Sequence, residues 1–251
     1  MKKIYLLFFI LFIIFYQGCE NSVSPVNNYP FLLPAPNDSA ISDSIKNFYQ
    51  QDAARLAVRY IFAQGSSDTA SIEIPAQLTS LFYKGLIYVY NFQSLNFSPT
   101  NGLVSRIHTF PNPNLNSLVI KVDTSQSWTK AWQNKNITTC NKQIDELLFP
   151  YNFQVSSFSY SWAVITTNMN LNLLPLAREL EKIPGINYAE LNGYIGDGNN
   201  ITASINPDKI IFTYSYGWGD CPAGCISRHF WEYYVMFDGS VKLNSEYGTP
   251  I

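Results

Sequence analysis

Cys221, Cys225 and His229 recur at four-residue intervals within Gly217–Trp231, with Asp220 and Glu232 close by. Three chemistries suit these residue types. The first is a disulfide between Cys221 and Cys225. Pro222-Ala223-Gly224 makes the tight turn that such a bridge needs, and closing so short a loop stabilises by roughly 2 kcal/mol in the chain-entropy model. The second is zinc, with Cys221, Cys225 and His229 as ligands and Asp220 or Glu232 completing a tetrahedron. Pro222 and Gly224 work against the helix that would put the four-residue spacing on one face, so no metal site is expected. The third is a thiol nucleophile, Cys225, activated by His229 and oriented by Asp220 or Glu232. Read as a strand, however, the segment puts His229 on the same side as Trp231, Tyr233 and Val235, an apolar face. Cys140 is read as a buried free thiol in an apolar helical neighbourhood, and His108 has no partner in view.

The other familiar signals are absent. The chain has no Gly-x-Ser-x-Gly, phosphate-binding glycine loop, His-Glu-x-x-His or dinucleotide fingerprint, so no cofactor is expected. Lys and Arg total 16 against 18 Asp and Glu, with no basic block, so no nucleic-acid partner is expected. Charged residues make up 14% of the 251 and hydrophobic ones 47%. That balance excludes a disordered chain or a coiled coil. Aromatic residues crowd the last third. Of these, Trp218, Phe230 and Tyr234, together with Arg228, are the candidates for a binding surface for a sugar or a protein.

The chain opens with Met1-Lys2-Lys3, an apolar run of 13 residues from Ile4 to Tyr16, then Gln17-Gly18-Cys19. The run is too short for a hydrocarbon core that needs about 20 residues, and it reads as a secretory signal, residues 1–18. Gly18-Cys19 resembles the lipobox of bacterial lipoproteins. That resemblance implies cleavage before Cys19, acylation of the cysteine, and attachment to a bacterial membrane, with the outer membrane expected. Glu20 does not by itself separate inner from outer. Residues 19–37, with four Pro and several Asn and Ser, are read as a tether.

The elements that must hold the candidate residues follow from periodicity. Residues 38–100 are read as a helical hairpin. Ile45, Phe48, Tyr49, Leu56 and Tyr60 form one face of its first helix, with Asp43, Lys46, Asp52 and Arg59 on the other. Ser42 or Asp43 caps the first helix. A short extended piece at 72–74 leads to Pro75, which opens the second. Residues 101–195 are read as an α/β region, with a short strand at 103–110, a strand at 118–122, a helix at 141–149 ahead of Pro150, a bent strand or strand pair at 153–167, a helix at 171–182 and a strand at 186–191. Residues 196–251 are read as antiparallel strands, with Asp238-Gly239 as a hairpin turn. The fold class is α+β, and 38–251 is expected to pack as one body.

Leu174 to Asn192 resembles the end of a subtilisin-propeptide (inhibitor-type) domain: a helix with paired leucines, the Pro184-Gly185 turn, then Ile186-Asn187-Tyr188-Ala189-Glu190-Leu191-Asn192. The resemblance implies a ferredoxin-like sandwich and a subtilisin-like protease as partner. Here the chain runs on past the strand instead of ending in a free tail. Gly217-Trp218-Gly219-Asp220-Cys221-Pro222-Ala223-Gly224-Cys225 is similar to a motif in exported proteins and lipoproteins of Bacteroidota-like bacteria, which implies an envelope address and assigns no activity. The expected function is a lipid-anchored, non-enzymatic binding or structural module of the cell envelope. Its partners would be the membrane and another envelope protein or a protease. A thiol-dependent enzyme using Cys225 and His229 is the alternative.

Overall fold

The computed structural model describes residues 29–95 and 101–251. The expected leader, Cys19 and the first part of the expected tether lie outside the described residues. Helix α1 spans Asp43–Ala63, and the Ser42 side chain caps it by accepting from the Ile45 N–H. Helix α2 spans Ala76–Leu95. It starts directly after Pro75, whose carbonyl accepts from the Thr79 N–H. Neither helix, nor any other among the described residues, is long and apolar enough to cross a membrane. No strand forms at 103–110. A short helix α3, Asn101–Val104, leads into a loop, and Val104 and Ile107, one helical turn apart, are fully buried. The extended piece at 72–74 joins no sheet either, although Ile72 offers its carbonyl to the Asn172 N–H.

The middle of the chain runs β1 (Ser117–Val122), α4 (Thr129–Gln133), α5 (Lys142–Leu148), β2 (Gln154–Ser159), β3 (Trp162–Thr166), α6 (Leu173–Leu180) and β4 (Ile186–Leu191). Its sheet has the order β2-β3-β1-β4 with every neighbouring pair antiparallel, which is a ferredoxin-like sheet. The segment at 153–167 is thus a strand pair, turning at Tyr160 and Ser161. Alternation along the strands buries Leu118, Ile120 and Val122 of β1 and Ala163 and Ile165 of β3 under the helices.

The last third is a four-stranded antiparallel meander: β5 (Asn200–Ile205), β6 (Lys209–Trp218), β7 (Ser227–Met236) and β8 (Val241–Gly248). One face is covered by α1 and α2. Tyr49, Leu56, Ile61, Phe82 and Leu86 of the helices share a core with Ile201, Ile210, Phe212, Tyr214, Trp231 and Tyr233 of the sheet. Helix α2 lies very close to β6 at Gly85, where a Cβ would fall 2.6 Å from the Phe212 ring. Any Cβ here would force the Phe212 ring to shift.

These cores redraw the expected boundaries. The helical hairpin and the C-terminal sheet are two halves of one layer pair, and the ferredoxin-like unit is inserted between them with its own core. Residues 101–114 belong with the hairpin rather than with the middle, because Val104 and Ile107 join the hairpin core. The tether also ends earlier than expected. Over residues 29–37 the chain is docked: Tyr29 and Leu33 are buried, Phe31 stacks on Phe237 at 5.1 Å, and Lys84 donates to the Leu33 carbonyl. Alternate apolar side chains on an extended, proline-bearing segment explain the docking. The two cores meet where Leu115 packs on Ala54 and Val58 of α1. There Asn172 also donates its side-chain amide to the Thr69 and Ser71 carbonyls.

Candidate functional site

The β6–β7 connection carries the Cys221–Cys225 disulfide, with α-carbons 3.9 Å apart. The bridge rests on Gly217, where a Cβ would stand 2.5 Å from Cys225 Sγ. As a disulfide sulfur, Cys225 Sγ has no proton to give to a base. His229 sits elsewhere in this geometry. Its Nδ1 donates to the Thr249 carbonyl at 2.8 Å, and its Nε2 lies 3.1 Å from Glu246 Oε1, with the ring against Trp231. It is a buried side chain that ties β7 to the C-terminal segment. Asp220 is exposed at the turn, and Glu232 accepts from Asn244 Nδ2 at 2.6 Å. Cys225, His229 and Asp220 are therefore not assembled into a catalytic constellation. Among the described residues no three His, Cys, Asp or Glu side chains gather as metal ligands. Cys140 is free but exposed rather than buried, because it occupies a turn at positive φ just ahead of α5 instead of a helix.

The strand alternation sorts the four surface candidates. On β7, His229, Trp231, Tyr233 and Val235 face the helices. Arg228, Phe230 and Tyr234 therefore share the opposite, open face. Phe230 stacks on Tyr247 of β8 with centroids 4.9 Å apart and planes 13° from parallel. Lys209 Nζ lies 4.9 Å from the Tyr234 ring centroid. Trp218 does not join them. Paired with Ser227, it has the parity of Tyr214 and Tyr216 and stacks on Tyr216 on the helix side, at the end of the sheet.

Beside Phe230 the open face holds a groove of about 270 Å³. Arg228 closes one end. Its Nη2 is 2.6 Å from Asp197 Oδ2, and its Nη1 donates to the Gly198 carbonyl and to Ser215 Oγ, both at 2.8 Å. Asp197 comes from the glycine-rich link after β4. Hydrogen bonds from Arg228 and the Gly198 N–H hold its carboxyl below the usual range, partly offset by desolvation. The disulfide turn braces the same residue: the Asp197 N–H donates to the Cys221 carbonyl and the Cys225 N–H to Asp197 Oδ2. The remaining walls are Asn200, Thr202 and Thr213. Sequence reasoning missed these residues. Their signal was the alternation Phe212-Thr213-Tyr214-Ser215, which marks Thr213 and Ser215 as the outward positions of β6.

A second polar cluster was also missed. Asp52, Arg55 and Arg59, expected on a solvent face or unremarked, form one stripe of α1, buried at Asp52 and half-buried at the two arginines, that grips the loop after α3. Asp52, 2% exposed, accepts from the Thr109 N–H and hydroxyl and from His108 Nδ1 at 2.7 Å. His108 thus has a partner that its neighbours in sequence did not suggest. Arg59 donates to the carbonyls of Phe110, Asn112 and Ile201 and to Asn200 Oδ1. Burial and the nearby Arg55 push its pKa down to about 10, with Asp52 opposing. Every group faces backbone or a neighbour within the fold, so the cluster is a clasp that sets β5 on α1. It also fixes Asn200 at the rim of the groove.

Comparison of the chain with family models, curated proteins and solved structures returns no match.

Proposed function

We propose that this chain is an exported, lipid-anchored, non-enzymatic binding module of the cell envelope, and that its ligand meets the open face of the C-terminal sheet. The supporting observation is the juxtaposition on that face of a stacked aromatic pair, Phe230 and Tyr247, with a braced polar groove. Tyr247 is 49% exposed. Aromatic rings offer large contact area at small entropic cost, and adjacent polar groups fix orientation. The lipid at Cys19 would hold this face near the membrane surface, and two or more acyl chains make such attachment lasting. The test adds the lipid-free chain from Glu20 onward to isolated envelopes. Wild type should be retained, and a Phe230→Ala/Tyr247→Ala variant with an unchanged circular dichroism spectrum should not. Equal retention of the two, or none by either, would defeat the assignment.

A second reading concerns the inserted unit. Its sheet also has an open face, where Trp162 and Tyr188 meet edge to face at 6.4 Å and Lys121 lies over Trp162. Just beyond β4, Ile195 is fully exposed. These features suit a protein partner, of which a subtilisin-like protease is the specific case. A protease left uninhibited by micromolar excess of the chain would end that version.

A further inference from the structure

We propose that the groove beside Phe230 receives the terminal unit of a neutral glycan. The proposal rests on the binding-module reading and names its ligand class.

Charge is the first reason. The groove contains one cation and one anion, Arg228 and Asp197, and they are spent on each other at 2.6 Å. The remaining Arg228 contacts go to the Gly198 carbonyl and Ser215 Oγ. A site for phosphate or carboxylate would leave a guanidinium fork open to the ligand. Here the fork is closed, so a charged ligand would meet no unpaired counter-charge.

The unspent groups are the second reason. Thr202 and Thr213 stand opposite each other across the β5–β6 pair. Both line the groove, and neither hydroxyl has a protein partner among the described residues. Asn200 Oδ1 is taken by Arg59 and the Phe110 N–H, which turns the amide so that Nδ2 remains to donate. Two hydroxyls that can donate or accept and one fixed donor match a ligand that is itself rich in hydroxyls.

The third reason is shape. Phe230 walls the groove and stacks on Tyr247 with the two ring planes nearly parallel. The polarised C–H face of a pyranose sits well on the negative face of such rings. At about 270 Å³ the groove is smaller than the roughly 300 Å³ where drug-sized pockets begin, so it suits one or two rings at the end of a chain.

The test is calorimetry and saturation-transfer NMR on the chain from Glu20 onward. The probes are neutral disaccharides of glucose, galactose, mannose and N-acetylglucosamine, with glucuronic acid and glucose 6-phosphate as charged controls. Saturable binding of a neutral sugar is expected. Phe230→Ala should weaken it at least tenfold, and Thr202→Val and Thr213→Val, which conserve shape, about two- to tenfold each. A charged control binding more than tenfold tighter than every neutral sugar would overturn the assignment. So would neutral binding that both valine variants leave unchanged, or no neutral binding at 10 mM. The envelope-retention test separates the two levels. If no sugar binds but retention still depends on Phe230 and Tyr247, only the glycan is lost. If retention fails as well, the binding-module reading falls with it.

Discussion

The two sheets of this molecule are built by opposite strategies. The ferredoxin-like unit is made from one continuous stretch, and its core is mostly aliphatic, with Leu118, Ile120, Ile165, Leu176 and Leu180 at its centre. The C-terminal sheet is completed by helices more than a hundred residues earlier in the chain. Its core is heavily aromatic, with Tyr49, Phe82, Phe212, Tyr214, Trp231 and Tyr233 all buried. A polar clasp of Asp52, Arg55 and Arg59 reinforces the second assembly between segments far apart in sequence, whereas in the first the Asp145 carboxylate accepts from nearby Thr139, a local contact. The difference teaches where the chain needs specificity. Sequence-local strands find one another readily, whereas a sheet that must recruit a distant helix pair gains register from directional hydrogen bonds that apolar packing lacks.

Separating the two units gives the largest effect. Residues 115–192 expressed alone should fold, because their core is complete. Joining Asn114 to Asn192 through a short glycine linker should leave the other unit folded, since Asn114 Nδ2 already reaches the Asn192 carbonyl at 2.8 Å. Residues 29–114 alone should not fold, having lost the sheet that covers the helices. Cooperative thermal unfolding followed by circular dichroism distinguishes these outcomes. A cooperative transition in 29–114 would show that the helix pair does not depend on the sheet.

Next in size is the clasp. Asp52→Ala leaves the Thr109 N–H and hydroxyl and His108 Nδ1 without their acceptor in a buried site. A loss of about 3 kcal/mol is expected in urea unfolding. A change below 0.5 kcal/mol would mean that the stripe is incidental. Gly85→Ala, pressed against Phe212, should cost about 1–3 kcal/mol by overpacking. The same substitution at Gly102, with nothing within 4 Å of its Cβ, should cost far less. Replacing Cys221 and Cys225 together by Ser should cost about 2 kcal/mol and weaken ligand binding at the groove through loosened Asp197. Unchanged binding in that variant would separate the bridge from the site.

The legibility of the two units in the sequence differs for the same physical reason. Strands β4 to β8 and helices α5 and α6 follow from period-two and helical patterning and from the turn residues Pro150, Pro184-Gly185 and Asp238-Gly239. Those signals are local. The partnership of the hairpin with the C-terminal sheet is not local, and nothing near Asp52 in sequence announces Thr109 or His108. The stretch 103–110 misled because Leu103 and Ile107 suit a strand in composition, while they pack against a distant core. At the groove, Arg228 and Phe230 were visible as aromatic-rich strand positions. Asp197 was not, because its role depends on a disulfide turn more than twenty residues further on.

The smallest effect concerns alkaline pH and again separates the units. Burial, with a contribution from Glu246, raises the Tyr233 pKa from 10.0 to about 12, against a lowering hydrogen bond with Gln93. Tyr49 and Tyr214 in the same core are raised by burial as well. A phenol whose folded pKa is raised favours the folded state fully below the unfolded pKa. That contribution is lost as pH climbs from about 10 through the folded value. The C-terminal assembly should therefore lose on the order of 1–2 kcal/mol through Tyr233 between pH 10 and 12. The isolated ferredoxin-like unit, whose buried core holds no tyrosine, should lose less. Tyr233→Phe should flatten part of the slope while lowering stability at neutral pH through the lost Gln93 bond. Equal alkaline slopes for the variant and wild type would place the sensitivity outside this core, and equal slopes for the two isolated units would remove the contrast between them.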